Sequence, residues 1–122
     1  MVEHTRSLRL LRPVFSLTAV SRGRESRCLA IIDTGATLTS IPERTLEMLG
    51  ARVVGLVPVT DFRGVELQIP VFRVHVRIKG QWENDLIGEY DLRVWATRRK
   101  DAAIGWDVLS NFEVSLSLAK PR

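Results

Sequence analysis

Apolar and polar residues alternate with a period of two from Phe72 to Lys79: Phe72, Val74, Val76 and Ile78 fall on one face, and Arg73, His75, Arg77 and Lys79 on the other. That is the signature of a strand with one buried and one wet face. Val114, Leu116 and Leu118 against Ser115 and Ser117 repeat it near the end of the chain. Val14–Val20 and Arg27–Ile32 are β-rich runs on either side of the polar stretch Ser21–Ser26, which predicts a hairpin. Arg52–Thr60 and Val65–Ile69 flank Asp61-Phe62-Arg63-Gly64 in the same way, and further β-type runs lie at Leu92–Ala96 and just before Ile104. Only two segments read as helical. Pro42 ahead of Glu43–Leu49, with acidic residues early and Gly50 after, predicts a short helix; Asp107–Phe112 offers a single turn. Many short strands with two brief helices predict a mostly β barrel or sandwich.

The chain's 122 residues suit one domain over 1–122, with 1–9 a loose terminus or a dimer strand. With 45% hydrophobic and 26% charged residues, the composition is that of a folding globular chain. Charges at Glu3, Arg6, Arg9, Arg12, Arg22 and Asp33 break every apolar run near the start. Neither a membrane span nor a secretory signal is expected, and the cytoplasm is the expected compartment. Cys28 is the only cysteine, so it forms no intrachain disulfide and belongs to no cysteine-rich metal site. It reads as a small buried side chain. The net charge of +4 allows an acidic partner. The arginines alternate with apolar residues, however, as solvated strand faces do, and no aromatic strip accompanies them. No nucleic acid is expected, and a basic nucleic-acid-binding barrel is the weakest reading.

Asp33-Thr34-Gly35-Ala36 stands apart from this background, preceded by the apolar run Leu29-Ala30-Ile31-Ile32. A carboxylate leaving a strand through a tight turn is rigidly held, since Gly35 allows close backbone approach and Thr34 can bond locally. A second signal, Ala102-Ala103-Ile104-Gly105, ends another small apolar run before Asp107-Val108-Leu109. Asp107 opens that turn and suits an N-cap better than a second catalytic carboxylate. His4 and His75 lack partners in the sequence and read as solvent-facing. Trp82, Trp95 and Trp106 read as scattered core or rim residues. No phosphate loop, dinucleotide glycine fingerprint, His-Glu-x-x-His or Gly-x-Ser-x-Gly is present, and no cofactor or metal is expected.

The pair of signals resembles the retropepsin-like aspartic proteases, whose single-domain members run an apolar strand into Asp-Thr-Gly-Ala and later place two apolar residues and a Gly before a short helix. The matching positions are Asp33-Thr34-Gly35-Ala36 and Ala103-Ile104-Gly105. The resemblance implies an all-β acid protease fold, a closed barrel or sandwich with a flap hairpin whose tip would be Asp61, Phe62, Arg63 and Gly64. It implies an aspartic endopeptidase acting on a peptide or protein, with Asp33 as catalytic carboxylate and Thr34, Gly35 and Ala36 as its supporting turn. The retroviral pattern often has Asp after the Ala and Arg after the late Gly, which form an ion pair; here Thr37 and Trp106 stand there. Losing both partners strands no charge, which favours a cellular or bacterial branch over a broken enzyme. Such enzymes need two aspartates, and this chain has one Asp-Thr-Gly, so a homodimer is implied, with Leu8–Leu11 and Val114–Leu118 as the natural interface. The rival is a catalytically silent module of the same fold that dimerises or binds a partner.

Overall fold

In the computed structural model, which describes residues 14–80 and 86–112, Arg22 and Gly23 alone separate strand β1 (Val14–Ser21) from β2 (Arg24–Ile32). Their φ angles, 53° and 80°, are both positive. A type I′ turn requires this, and its twist matches that of the paired strands. The connection is therefore shorter than the polar stretch Ser21–Ser26 suggested. Arg24, Glu25 and Arg27 belong to β2 and keep wet side chains while still pairing with β1 through their backbones.

Strand β3 (Ser40–Pro42) runs straight into helix α1 (Glu43–Leu49), which buries Thr45, Leu46 and Leu49. Gly50 ends it in the left-handed region at φ 63°. The Gly50 N–H donates to the Glu47 carbonyl at 3.0 Å and the Ala51 N–H to the Leu46 carbonyl at 3.1 Å. These two bonds make a Schellman ending, where glycine carries no Cβ penalty. Strands β4 (Arg52–Thr60) and β5 (Glu66–Lys79) follow as a hairpin. The runs Val65–Ile69 and Phe72–Ile78 prove to be one strand, continuous through Pro70, which pairs with Leu56. Next come β6 (Leu86–Thr97), β7 (Ala102–Ile104) and helix α2 (Trp106–Leu109).

Pairing proceeds in the order β1-β2-β7-β3-β6-β5 and closes through a β1–β5 ladder, so six strands form a barrel and β4 lies outside along β5. Closure leaves no free edge among those six. The alternating face of β5 behaves as its sequence predicts: Val74, Val76 and Ile78 are buried and Phe72 partly so, packed with Leu17, Ala30, Ile41, Val94 and Ile104 inside the ring. Exposed arginines, among them Arg27, Arg73 and Arg93, occupy the outward positions. Beyond the barrel the β4–β5 hairpin continues as a two-stranded arm, where Glu66–Pro70 pairs with Leu56–Thr60. His4, Leu8–Leu11, Trp82 and Val114–Leu118 lie outside the described residues.

Candidate active site

Strands β2 and β7 are neighbours and parallel, with Ala30, Ile31 and Ile32 opposite Ala102, Ala103 and Ile104. The two segments singled out in the sequence therefore leave the barrel side by side and in the same direction. Asp33 is the first residue past β2, and its N–H donates to the Ile104 carbonyl at 3.0 Å, extending the ladder by one bond. The chain then turns: the Ala36 N–H donates to the Asp33 carbonyl at 3.1 Å, and the Gly35 N–H to the Asp33 carboxylate Oδ1 at 3.0 Å. An Asx-type turn of this kind fixes the rotamer of the carboxylate. A Cβ at position 35 would lie 3.3 Å from that same oxygen, which is the local reason for glycine there.

Gly105 is more constrained. A Cβ on it would come within 2.7 Å of the Leu38 carbonyl carbon and 2.8 Å of the Ala36 and Leu38 oxygens, all backbone atoms. That closeness lets α2 bond directly to the Asp33 turn. The Trp106 N–H donates to the Ala36 carbonyl at 2.9 Å, the Asp107 N–H to the Thr37 carbonyl at 3.2 Å, and the Trp106 indole N–H to the Thr34 carbonyl at 2.6 Å. Thr39 is fully buried and fully engaged: its hydroxyl donates to Asp107 Oδ1 at 2.7 Å and accepts from the Gly105 N–H at 3.1 Å, while its N–H donates to Asp107 Oδ2 at 2.9 Å.

Asp107 is thus not the N-cap that its sequence position suggested. The cap is Gly105, without a side-chain bond, and Asp107 lies inside the first turn with its carboxylate turned across to Thr39. Two buried donors on Thr39 outweigh the helix's own N–H groups, one of which already has the Thr37 carbonyl as partner. Thr39 escaped the sequence reading, since an isolated threonine carries no signal until Asp107 is folded against it. Thr37 and Trp106 are each held by neutral hydrogen bonds to other residues, Trp106 donating to the Ala36 and Thr34 carbonyls and the Thr37 carbonyl accepting from the Asp107 N–H.

Asp33 is half-buried and lines an open pocket of about 400 Å³ together with Ile31, Ser40, Thr97, Arg99, Lys100, Asp101 and Ala103. Thr34 and Gly35 are exposed beside it and Ala36 is half-buried; Ala103 lines the pocket, while Ile104 and Gly105 are buried behind it. The hairpin tip at Asp61, Phe62, Arg63 and Gly64 is organised around one carboxylate. Asp61 Oδ1 accepts from the Arg63 and Val65 N–H groups at 2.8 and 3.0 Å, and Oδ2 takes the Arg63 guanidinium at 2.9 Å. The Arg63 contact holds the Asp61 carboxyl below its ordinary value. Phe62 stands 97% exposed at the end of the arm, with the Arg63 guanidinium 5.8 Å from its ring centre.

Two other residues depart from their sequence reading. His75 faces solvent, as expected, yet it has partners: Nε2 lies 2.8 Å from Glu89 and Nδ1 3.0 Å from Asp91. Cross-strand register between β5 and β6 brings them together, and no local spacing reveals it. Cys28 is half-buried, and burial pushes its thiol up to about 11. At neutral pH it is a protonated packing group, not a nucleophile. Trp95 is half-buried and Trp106 half-exposed on the site's rim.

No protein-family model and no curated protein matches the chain. Solved structures do match. Simian foamy virus (mac) protease aligns over 78% of this chain and 91% of that one at 23% identity, with a TM-score of 0.53. EIAV protease, solved with an inhibitor, aligns over 86% of this chain and 93% of that one at 16% identity, with a TM-score of 0.54. A foamy viral protease-reverse transcriptase in complex with an RNA/DNA hybrid matches 88% of this chain and 13% of that longer one at 18% identity, with a TM-score of 0.53. At such identities the likeness is one of fold, and with the six-stranded closed barrel and its two short helices it establishes that the chain has the retropepsin-like fold.

Proposed function

We propose that the chain is one half of an aspartic endopeptidase, active as a homodimer in which each copy contributes Asp33. The observation that carries this reading is the placement of Asp33: its backbone continues the β2–β7 ladder, its carboxylate is held by the Gly35 N–H, and its side chain faces an open pocket. One carboxylate cannot take a proton from water and give one to the carbonyl oxygen in the same step. With a second copy related by two-fold symmetry, two can. Two carboxylates about 3 Å apart share one proton, behaviour already established for aspartic proteases as a class. The ionised Asp33 would take a proton from water as the oxygen adds to the peptide carbonyl carbon, and the protonated one would give its proton to the carbonyl oxygen. The resulting gem-diol then breaks its C–N bond, with proton return to the departing amine, and regenerates the shared-proton pair.

The β4–β5 arm would serve as the flap. Its reach beyond the barrel and its self-bonded Asp61 tip support that role. Absence of the Asp and Arg ion pair, with Trp106 bonding Thr34 instead, supports a non-viral branch. The direct test compares wild type with Asp33→Asn on a mixed peptide library from acid to neutral pH, with a statine-type inhibitor as control. Wild type should cleave and be inhibited, and Asp33→Asn should lose about three orders of magnitude or more. Equal cleavage by both proteins would remove Asp33 from the chemistry.

A further inference from the structure

The pocket beside Asp33 has an unusual wall. Its inner lining is small or apolar, with Ile31 and Ala103 at the ends of the parallel strands and Ser40 and Thr97 across from them. Its outer wall is the segment between β6 and β7, Arg98-Arg99-Lys100-Asp101, of which Arg99 and Lys100 line the pocket. The Arg99 N–H donates to the Thr97 hydroxyl at 3.2 Å, which pins the start of this segment to the strand end. Among the described residues neither Arg99 nor Lys100 makes an ion pair, although both side chains are exposed.

We propose that this pocket is a side-chain subsite for acidic residues, with Arg99 and Lys100 pairing with a glutamate or aspartate of the peptide next to the bond that Asp33 cleaves; the proposal rests on the endopeptidase reading above. Two carboxylates that line the pocket oppose it, Asp33 and Asp101. Asp101, half-buried, lines the same pocket and offsets one of the two outer-wall cations, which leaves one positive charge there. Asp33 belongs to a pair that holds one proton, so the two copies together carry one negative charge across two such pockets. Each pocket therefore keeps a net positive outer wall, and it is the small side chains of Ser40, Thr97 and Ala103 that leave room for a carboxylate to reach the cations. Such partly exposed pairs are individually weak and salt-sensitive, and guanidinium-carboxylate geometry is the stronger kind. Two of them amount to roughly five- to tenfold in kcat/KM.

Cleavage of a random decapeptide library near pH 6, where glutamate is ionised, reads this out by mass spectrometry of the products. Wild type should enrich Glu and Asp beside the cut about five- to tenfold, with the enrichment fading in 0.5 M salt. The double variant Arg99→Glu, Lys100→Glu should turn the enrichment toward Lys and Arg; both positions are exposed, and circular dichroism confirms that the variant folds. Cleavage by wild type without acidic enrichment, or enrichment untouched by the charge reversal, overturns the subsite while leaving the endopeptidase intact. If wild type cleaves nothing, the endopeptidase reading falls, and a second measurement still decides the subsite. Labelled Asp33→Asn protein is titrated with acetyl-(Glu-Ala)4-amide and with its Gln counterpart, following the Thr97–Ala103 amides. Tighter binding of the Glu peptide at those amides, reduced by the double reversal, supports the subsite, and equal binding of the two peptides overturns it.

Discussion

Gly35 and Gly105 both shape the Asp33 turn but fail differently when given a methyl group. At position 35 the new Cβ meets one carboxylate oxygen at 3.3 Å, the end of a side chain that can rotate away. Gly35→Ala should therefore fold with little loss of stability yet displace Asp33, lowering peptidase activity by at least tenfold. At position 105 the Cβ meets three backbone atoms within 2.8 Å, and none can yield without separating α2 from the Asp33 turn. Gly105→Ala should cost about 2–3 kcal/mol or more, in the range of overpacked cores. Urea midpoints and activity measured on both variants distinguish the two cases; a Gly105→Ala protein as stable as wild type would mean that the close approach is not real. Both glycines were legible as motif positions. The reason for the second was not, because the atoms that exclude a side chain belong to Ala36 and Leu38, far away in sequence. Asp107 taught the same lesson in reverse: local rules made it a cap, and a buried threonine from the other segment claimed it.

At the scale of elements, what was legible was what depends on neighbours along the chain. The β5 alternation, the α1 boundaries and the Gly50 stop follow from period and turn chemistry, and all stand where the pattern put them. The first hairpin is tighter than its pattern predicts because β2 carries charges on its outward face, and such charges resemble a loop. The Arg22-Gly23 turn that resulted holds a non-glycine residue at positive φ, a conformation that costs a β-carbon residue about 1 kcal/mol. Asparagine tolerates it, and Asn-Gly is the favoured pair in this turn. Arg22→Asn should raise stability by about 0.5–1 kcal/mol, visible as a higher urea midpoint at unchanged slope. The His75 cluster belongs to the same scale, since only strand register creates it. Glu89 first and then Asp91 raise the imidazole above its ordinary 6.5, so its contribution to stability is complete below that value and vanishes as pH rises through the folded one. Glu89 is held below its ordinary 4.5 by His75 and then Arg77, so its share is present above that value and is lost as pH falls through the folded one. The cluster thus helps most at about pH 5–6. His75→Gln should lower Tm there by a small amount and not at all by about pH 9, since exposed pairs are weak; a gap that is the same at both pH values would show that the ion pairs contribute nothing.

For the whole molecule, the decisive quantity is how many carboxylates one barrel can bring to one substrate. The fold places a single Asp33 at the ends of β2 and β7, while Asp107 is turned to Thr39 and Asp101, which lines the same pocket, sits in the segment between β6 and β7. An aspartic mechanism that joins Asp33 of two copies, as proposed, makes activity a property of pairs. That has an arithmetic consequence independent of where the interface lies. When wild type and Asp33→Asn are mixed, unfolded and refolded together at a fixed total concentration well above the dimer dissociation constant, chains pair at random. If the site is shared, only wild-type pairs are fully active, and an equal mixture should keep about a quarter of the wild-type rate, with the rate following the square of the wild-type fraction. Chains that each carried a complete site would instead keep about half and follow a straight line. Dilution of wild type alone supplies the second axis: activity per chain should fall with concentration below the dissociation constant measured by sedimentation. A linear mixing curve together with flat dilution would make Asp33 the carboxylate of a self-sufficient site and exclude a dyad built across two copies.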